Sequence, residues 1–261
     1  MARMSEQAYP RARGLLSGKS VVVTAAAGTG IGLATAKRCI EEGARVVISD
    51  AHERRLIQAA EALSAVAGEP VLGVPCDVTR EAEVQRLIER ACAQLGAIDV
   101  LVNNAGLGGT ALLVDMTDEQ WQRVLDVSLT GTFRMTRAAL RPMLARGSGV
   151  IVNNASVLGW RAQAGQSHYA AAKAGVMAFT RCVALEVARS GVRINAVAPS
   201  LAAHPFLSKV TSEQLLRELA EREALGRAAE PWEVANVILF LASDLSSYMT
   251  GEVVSVSSQH P

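Results

Sequence analysis

The sequence predicts an α/β protein: a single doubly wound domain, with a seven-stranded parallel sheet covered by helices on both faces. Three observations lead there. From Lys19 onward, short β-rich runs alternate with stretches of helical spacing. The strand candidates are unbroken apolar runs, as expected of strands buried on both faces. No Pro/Gly/Ser-rich linker and no internal repeat interrupts the alternation, so 15–261 reads as one domain.

Val21-Val22-Val23 opens the sheet and is followed by small residues and glycines. Ile31 to Glu42 has helical spacing, with Ile31, Ala34, Thr35, Arg38 and Cys39 on related faces, and Gly43 ends it. Arg45 to Ser49 is the second strand and stops at Asp50; Glu53 to Val66 is a helix. Val71 to Pro75 is strand three, ending at Cys76-Asp77, and Glu81 to Leu95 is helical. Ile98 to Val102 is strand four, ending at Asn103-Asn104-Ala105-Gly106, with one long helix expected from about Asp118 to Ala145. Val150 to Asn153 is strand five, and a helix runs from about Ser167 to Arg189. Val192 to Val197 is strand six, helices are expected near Ser212 to Glu223 and Pro231 to Ser243, and Glu252 to Val256 closes the sheet. Met1 to Gly14 has three arginines and no apolar core, so it is read as a flexible tail rather than a secretory signal.

Of the 261 residues half are hydrophobic, 20% are charged and 4% aromatic, and the formal net charge is +1. This excludes a disordered or low-complexity chain and gives no electrostatic drive toward nucleic acid or an acidic membrane. Apolar stretches such as Val237 to Ala242 fall far short of the ~20 residues a membrane span needs. Cys39, Cys76, Cys92 and Cys182 are scattered, so neither a metal site nor a disulfide framework is expected, and a reducing cytoplasm is the simplest compartment.

In such a sheet the ligand crevice lies at the carboxyl ends of the strands. After strand one, Ala26, Gly28, Thr29, Gly30 and Ile31 form a glycine-rich turn into a helix. Glycines admit a pyrophosphate close to the backbone, and the helix N-terminus offers unpaired N–H groups. The GxGxxG spacing is not met, because Leu33 stands where the last glycine would be, so a plain tight turn is the alternative. Asp50 ends strand two about 20 residues later, where an acidic group binds ribose hydroxyls and repels a 2′-phosphate. That favours NAD over NADP, although His52, Arg54 and Arg55 follow closely and a helix cap is the competing role. Asp77 and Asn104-Ala105-Gly106 lie on the same edge, and either line the cofactor or stabilise turns.

Ser156 follows strand five, and Tyr169 and Lys173 lie one helical turn apart, with only alanines between them. The spacing puts phenol and ammonium on one face. A free tyrosine has a pKa near ~10; a nearby ammonium favours its phenolate, which then serves as a base toward an alcohol. Ser156 would bind the same substrate oxygen. An ordinary amphipathic helix with an exposed Tyr and Lys fits the spacing equally well.

Taken together, and in this order, these residues resemble the short-chain dehydrogenase/reductase family. The resemblance covers Lys19 to Val256 and extends to Gly226-Arg227, Glu230-Pro231, Phe240 to Asp244 and Thr250-Gly251. It implies a Rossmann fold, an NAD(P) cofactor, a Ser156–Tyr169–Lys173 catalytic site, and a homotetramer or homodimer built on the long helices and C-terminal region. It further places Val78, Val127, Pro199, Ala202 and His204 along the cofactor. Three departures from the family pattern stand out. Ala26 takes the place of the glycine after the family's threonine. Ser128, in Val127-Ser128-Leu129-Thr130-Gly131, replaces an asparagine that holds a helix kink and a water relaying protons to the lysine. His204 stands where a threonine contacts the nicotinamide amide or a phosphate.

The segment at about 201–224 matches the family's substrate flap, and Phe206, Leu207, Val210, Leu215, Leu216 and Leu219 make one side of it apolar. Trp160, Arg161, Gln163 and His168 would form another wall. The strings TAAAGTGIG, NNASVLGWRAQ, SHYAAAKAGVMA and SSQHP are similar to those of steroid-degrading members that act on a hydroxylated hydrindanone carboxyl-CoA thioester. The expectation is an NAD-dependent enzyme interconverting a secondary alcohol and a ketone on a bulky hydrophobic small molecule, CoA-linked in the way the resemblance implies. An NADPH-dependent 3-oxoacyl-thioester reductase and a non-catalytic NAD-binding redox sensor are the alternatives.

Overall fold

The computed structural model describes residues 8–203 and 213–259. Seven strands form one parallel sheet: β1 Ser20–Thr24, β2 Arg45–Asp50, β3 Leu72–Pro75, β4 Val100–Asn103, β5 Gly149–Asn154, β6 Val192–Pro199 and β7 Val253–Val256. Their spatial order is β3-β2-β1-β4-β5-β6-β7, so the chain reverses its direction of travel across the sheet between β1 and β4. That switch point is where an open α/β sheet leaves a crevice.

Successive side chains alternate faces along each strand. Val21 and Val23 of β1 pack with Val46, Ile48, Val100 and Val102 on one face, while Val22 joins Val47, Leu101 and Ile151 on the other. On the first face lie α1 (Ile31–Glu41), α2 (Glu53–Ala67) and α8 (Pro231–Ala242); on the second lie α3 (Glu81–Leu95), α5 (Gly131–Arg146) and α6 (Ser167–Val187). Each buried valine or leucine is worth about 1.5–3 kcal/mol, which is why the middles of β1, β2, β4 and β5 are runs of valine, isoleucine and leucine.

The single long helix expected from Asp118 to Ala145 is interrupted. α4 (Asp118–Leu125) runs into a π-helical segment, Asp126–Thr130, before α5 begins. The Thr132 hydroxyl donates to the Ser128 carbonyl at 2.9 Å, and Ser128 itself is pinned to Leu107. Apolar periodicity continues through such a bulge, so spacing does not reveal it. α7 (Glu213–Arg222) lies within the expected flap; Phe206, Leu207 and Val210 fall outside the described residues.

Residues 8–14, within the segment expected to be a flexible tail, make defined contacts with the domain. Tyr9 donates its hydroxyl to Glu41 at 2.7 Å and packs edge-on against Trp232. Arg13 N–H and Leu15 N–H both donate to Glu42 at 2.9 Å. Behind them Arg38, 3% exposed, pairs with Glu42, 1% exposed, at 2.9 Å, and also donates to Glu41, Asn236 of α8 and the Pro10 carbonyl. Arg38 thus lies on the inner face of α1, as its helical spacing predicts, and its charge is met partly by the segment before β1. Burial alone would raise the Glu42 carboxyl; the N–H groups of Leu15 and Arg13 and the guanidinium outweigh it and hold it below the usual carboxylate range. Removing one partner of a buried pair strands the other charge. Glu42→Ala is expected to lower unfolding free energy in urea by about 3–5 kcal/mol; a loss under about 1 kcal/mol, the scale of a surface pair, would show that this strap contributes little.

Candidate active site

The turn after β1 is shaped by backbone rather than side chains. Ala25 has a positive φ of 51°, a left-handed conformation that disfavours residues with a Cβ. The residue of the turn that takes this conformation is Ala25, next to the Ala26 expected at the family's glycine position. Ala26 is fully buried and donates its N–H to Ser49 O at 3.0 Å. α1 starts after Gly30 with no side-chain cap and no acidic residue in its first turn, so its N–H groups and dipole remain open to an anion. A Cβ at Gly32 would lie 2.3 Å from Ala25 O and 2.5 Å from Asn104 Nδ2, so only glycine lets the helix approach so closely. Gly28 faces open space: a Cβ there would meet only Gly30 N, at 3.9 Å. Thr29 and Ile31 complete the turn. These features fit a dinucleotide pyrophosphate, with Gly28 to Ile31 as its cradle.

Asp50 accepts from Ala27 N at 3.3 Å and from His52 N at 2.9 Å, with Arg55 3.9 Å away. The helix-start and ribose roles are compatible, since each carboxylate oxygen keeps a second lone pair. Burial raises its pKa against the pull of the Ala27 N–H and Arg55. Asp77 is engaged in turn chemistry: one oxygen accepts from Thr79 N and Thr79 Oγ1 at 2.9 and 2.7 Å, and Arg80 lies 3.8 Å from the other. Val78 is buried where a Cβ on Gly131 would strike it. Asn104 N and Ala105 N both donate to Thr24 Oγ1 at 3.0 Å, which ties the end of β4 to the end of β1. Gly106 leaves room for Lys173, whose Nζ would be 3.2 Å from a Cβ there. Val127 is half-buried in the π segment, and Pro199 ends β6. Ala202 is buried and its stretch pairs with Ala229, while His204 lies outside the described residues.

Ser156, Tyr169 and Lys173 come together. Lys173 is 3% exposed and donates to Asn154 O at 2.6 Å. Its Nζ sits 5.6 Å from the centre of the Tyr169 ring, and a hydrogen bond joins Tyr169 to Ser156. Burial pushes the lysine down to about 8. It pushes the phenol up, and the bond with Ser156 pulls it back only in part. Burial and the Ser156 bond together do not make Tyr169 acidic; nearby positive charge works in that direction.

Ser128 is fully buried, and its hydroxyl is committed to one residue: it accepts from Leu107 N at 3.0 Å and donates to Leu107 O at 3.1 Å. It fastens the loop after β4, and its proton is not free for the water relay expected of the family asparagine. Leu107 acts through main-chain atoms, and Asn154 meets Lys173 through its carbonyl, which no side-chain pattern announces, so neither is among the residues the sequence singles out. Of the expected wall, Trp160 is exposed and Arg161 donates to Ser257 Oγ at 3.1 Å. Gln163 lies in the same loop. His168 is instead buried under Gly109, and desolvation lowers its pKa.

A lysine folded near 8 binds its proton less tightly than in the unfolded chain. Its penalty is therefore full below about pH 8 and is relieved as pH climbs toward the ordinary lysine range. Lys173→Met is expected to raise stability at pH 7 by roughly 1–3 kcal/mol while turnover collapses. Unchanged or reduced stability in urea denaturation would show that the ammonium is well compensated.

A family model described as Enoyl-(Acyl carrier protein) reductase matches residues 25–258. The chain is 67% identical over 249 residues to the (5R,7aS)-5-hydroxy-7a-methyl-1-oxo-2,3,5,6,7,7a-hexahydro-1H-indene-carboxyl-CoA reductase of Mycobacterium tuberculosis, covering 95% of each chain. It is 44% identical to the cis-4-hydroxycyclohexanecarboxylate dehydrogenase of Sinomonas cyclohexanicum, covering 90% of this chain and 94% of that one. A crystal structure of a short chain dehydrogenase from Mycobacterium smegmatis superimposes with a TM-score of 0.87 at 58% identity, covering 98% of both chains.

Proposed function

The chain belongs to the short-chain dehydrogenase/reductase family, and on that premise we propose that it is an NAD-dependent oxidoreductase acting on a steroid-ring-derived CoA thioester. It interconverts a secondary alcohol and a ketone on a hydroxy, methyl-bearing hydrindanone carboxyl-CoA. The observation that carries the substrate is the 67% identity, over 95% of both chains, to a reductase named for that compound. The cofactor choice rests on Asp50, placed at the end of β2 with lone pairs to spare for ribose hydroxyls and a carboxylate that repels a 2′-phosphate.

When bound, the nicotinamide supplies the hydride acceptor. Gly28 to Ile31 would hold the pyrophosphate, Asp50 the adenosine ribose, and Asp77 and Val78 the adenine. Asn104, Ala105, Gly106, Val127, Pro199 and Ala202 would complete the dinucleotide site; His204, also expected there, lies outside the described residues. Tyr169 removes the alcohol proton at its phenol oxygen and returns it in the reverse direction. Ser156 holds the same substrate oxygen, and Lys173 favours the phenolate by its charge. Ser128 keeps the Leu107 loop in place beside them. The Trp160–Gln163 loop would wall the substrate; residues 204–212 of the expected flap lie outside the described residues.

Several large apolar side chains remain exposed on the second face and its edge, among them Trp121, Phe133 and Leu185, with Leu245 and Tyr248 near β7. They support self-association into a dimer or tetramer. All four cysteines are free and no helix among the described residues is long and apolar enough to cross a membrane; the free thiols support a reducing cytoplasmic setting.

A cofactor-coupled assay on hydroxy and keto CoA thioesters, run with both dinucleotides, tests the reading. Turnover of the hydrindanone thioester with NAD(H) supports it; preference for linear 3-oxoacyl thioesters with NADPH replaces it with the fatty-acid reductase alternative. Tyr169→Phe is expected to reduce kcat by about 10²–10⁴ with dinucleotide binding retained, whereas a cofactor-binding sensor would show no turnover to lose. Asp50→Ala is expected to lower the NAD/NADP ratio of kcat/KM by about tenfold, the scale of one lost charged contact; an unaltered ratio would remove Asp50 as the selector.

A further inference from the structure

The ends of β1, β4 and β5 are joined by a hydrogen-bonded chain that passes through the side chain of Asn154. Lys173 Nζ donates to Asn154 O at 2.6 Å. The Asn154 side chain donates from Nδ2 to Asn104 Oδ1 at 2.9 Å. Asn104 Nδ2 in turn donates to Thr24 O at 3.2 Å and to Ala25 O at 3.1 Å. Ala25 is the only residue other than glycine with a positive φ among those described, and its carbonyl is the atom that a Cβ on Gly32 would strike.

The orientation of both amides is determined. Asn104 Nδ2 faces two carbonyls, so its oxygen must turn toward Asn154. Asn154 must then offer its NH2 group, and its own Oδ1 is left buried without a partner. An apolar side chain of similar size would avoid that unpaired oxygen. What Asn154 contributes in return is the donor that fixes Asn104 in the one orientation able to clamp the left-handed Ala25.

We infer that Asn154 is a positioning residue for cofactor binding: through Asn104 it holds the strained Ala25 turn in its binding conformation and ties that turn to the strand anchoring Lys173. The inference rests on the dinucleotide site proposed above. In a chain whose turn began with glycine, a positive φ would need no such clamp. Alanine at this position makes the clamp necessary.

The test is equilibrium NADH binding, followed by nicotinamide fluorescence, with steady-state kinetics alongside. The proteins are the unmodified chain, Asn154→Leu, Ala25→Gly and the double variant. Asn154→Leu is expected to raise the NADH Kd about tenfold, the value of one buried hydrogen bond, with the change falling on the cofactor KM rather than on kcat. Ala25→Gly supplies the positive φ without a clamp, so the double variant is expected to recover most of the lost affinity. A merely structural role would lower Tm and the active fraction but would not be rescued by glycine two strands away. Asn154→Ala serves the same measurement if the leucine variant does not fold. An unchanged Kd in the folded single variants, or a loss that persists undiminished in the double variant, overturns the inference. Absence of NADH binding by the unmodified chain overturns the dinucleotide site itself, and this inference with it.

Discussion

The ammonium of Lys173 is held out of water, 2.6 Å from a main-chain carbonyl at the end of β5, with the ring of Tyr169 beside it. A charge so placed is destabilising for the fold and useful only if something exploits it. Its neighbours are arranged to do so. The parallel order places the ends of β1, β4 and β5 side by side, and α6 carries Tyr169 and Lys173 past them. The same strand ends give rise to the glycine turn, the Asn104–Gly106 stretch and Ser156. The proposed cofactor turn and proton-transfer group therefore share one edge of one sheet, and the sheet's topology is what brings them together.

That edge is built largely from backbone. Thr24 Oγ1 collects two N–H groups from the end of β4, Ser128 collects both polar groups of Leu107, and Asn104 holds two carbonyls of the turn. The π segment is part of this construction. It turns Ser128 inward to reach Leu107, where a regular helix would continue unbroken. At Ala25 and Ser128, two of the positions that set this edge, the bonds run to main-chain atoms.

Most of the fold is legible in the sequence because parallel strands buried on both faces carry runs of apolar residues, and β1, β2, β4 and β5 end at polar residues. Asp50, Asn104 and Ser156 lie where those strand ends place them, and Tyr169 and Lys173 share a helix face as their spacing requires. Sequence reasoning fails where main-chain atoms decide. Which alanine takes the left-handed conformation depends on the hydrogen bonds around it, and Ala25 and Ala26 are alike as letters. The bulge at Asp126–Thr130 preserves apolar periodicity and so leaves no trace in it. The segment before β1 reads as unattached because its partner, the buried Arg38–Glu42 pair, lies on a helix face that is apolar in most other positions.

Central to the proposed function is that the phenol of Tyr169, which burial pushes upward, is made a base by positive charge brought to it. The direct measurement is the titration of Tyr169 by NMR on a chain carrying 13Cζ-labelled tyrosine, with and without NAD bound, the signal assigned with Tyr169→Phe. The account predicts a phenol that titrates above the ordinary tyrosine value in the free protein and falls by at least about two units, toward neutrality, in the complex. A phenol that titrates at the same pH in both would contradict it.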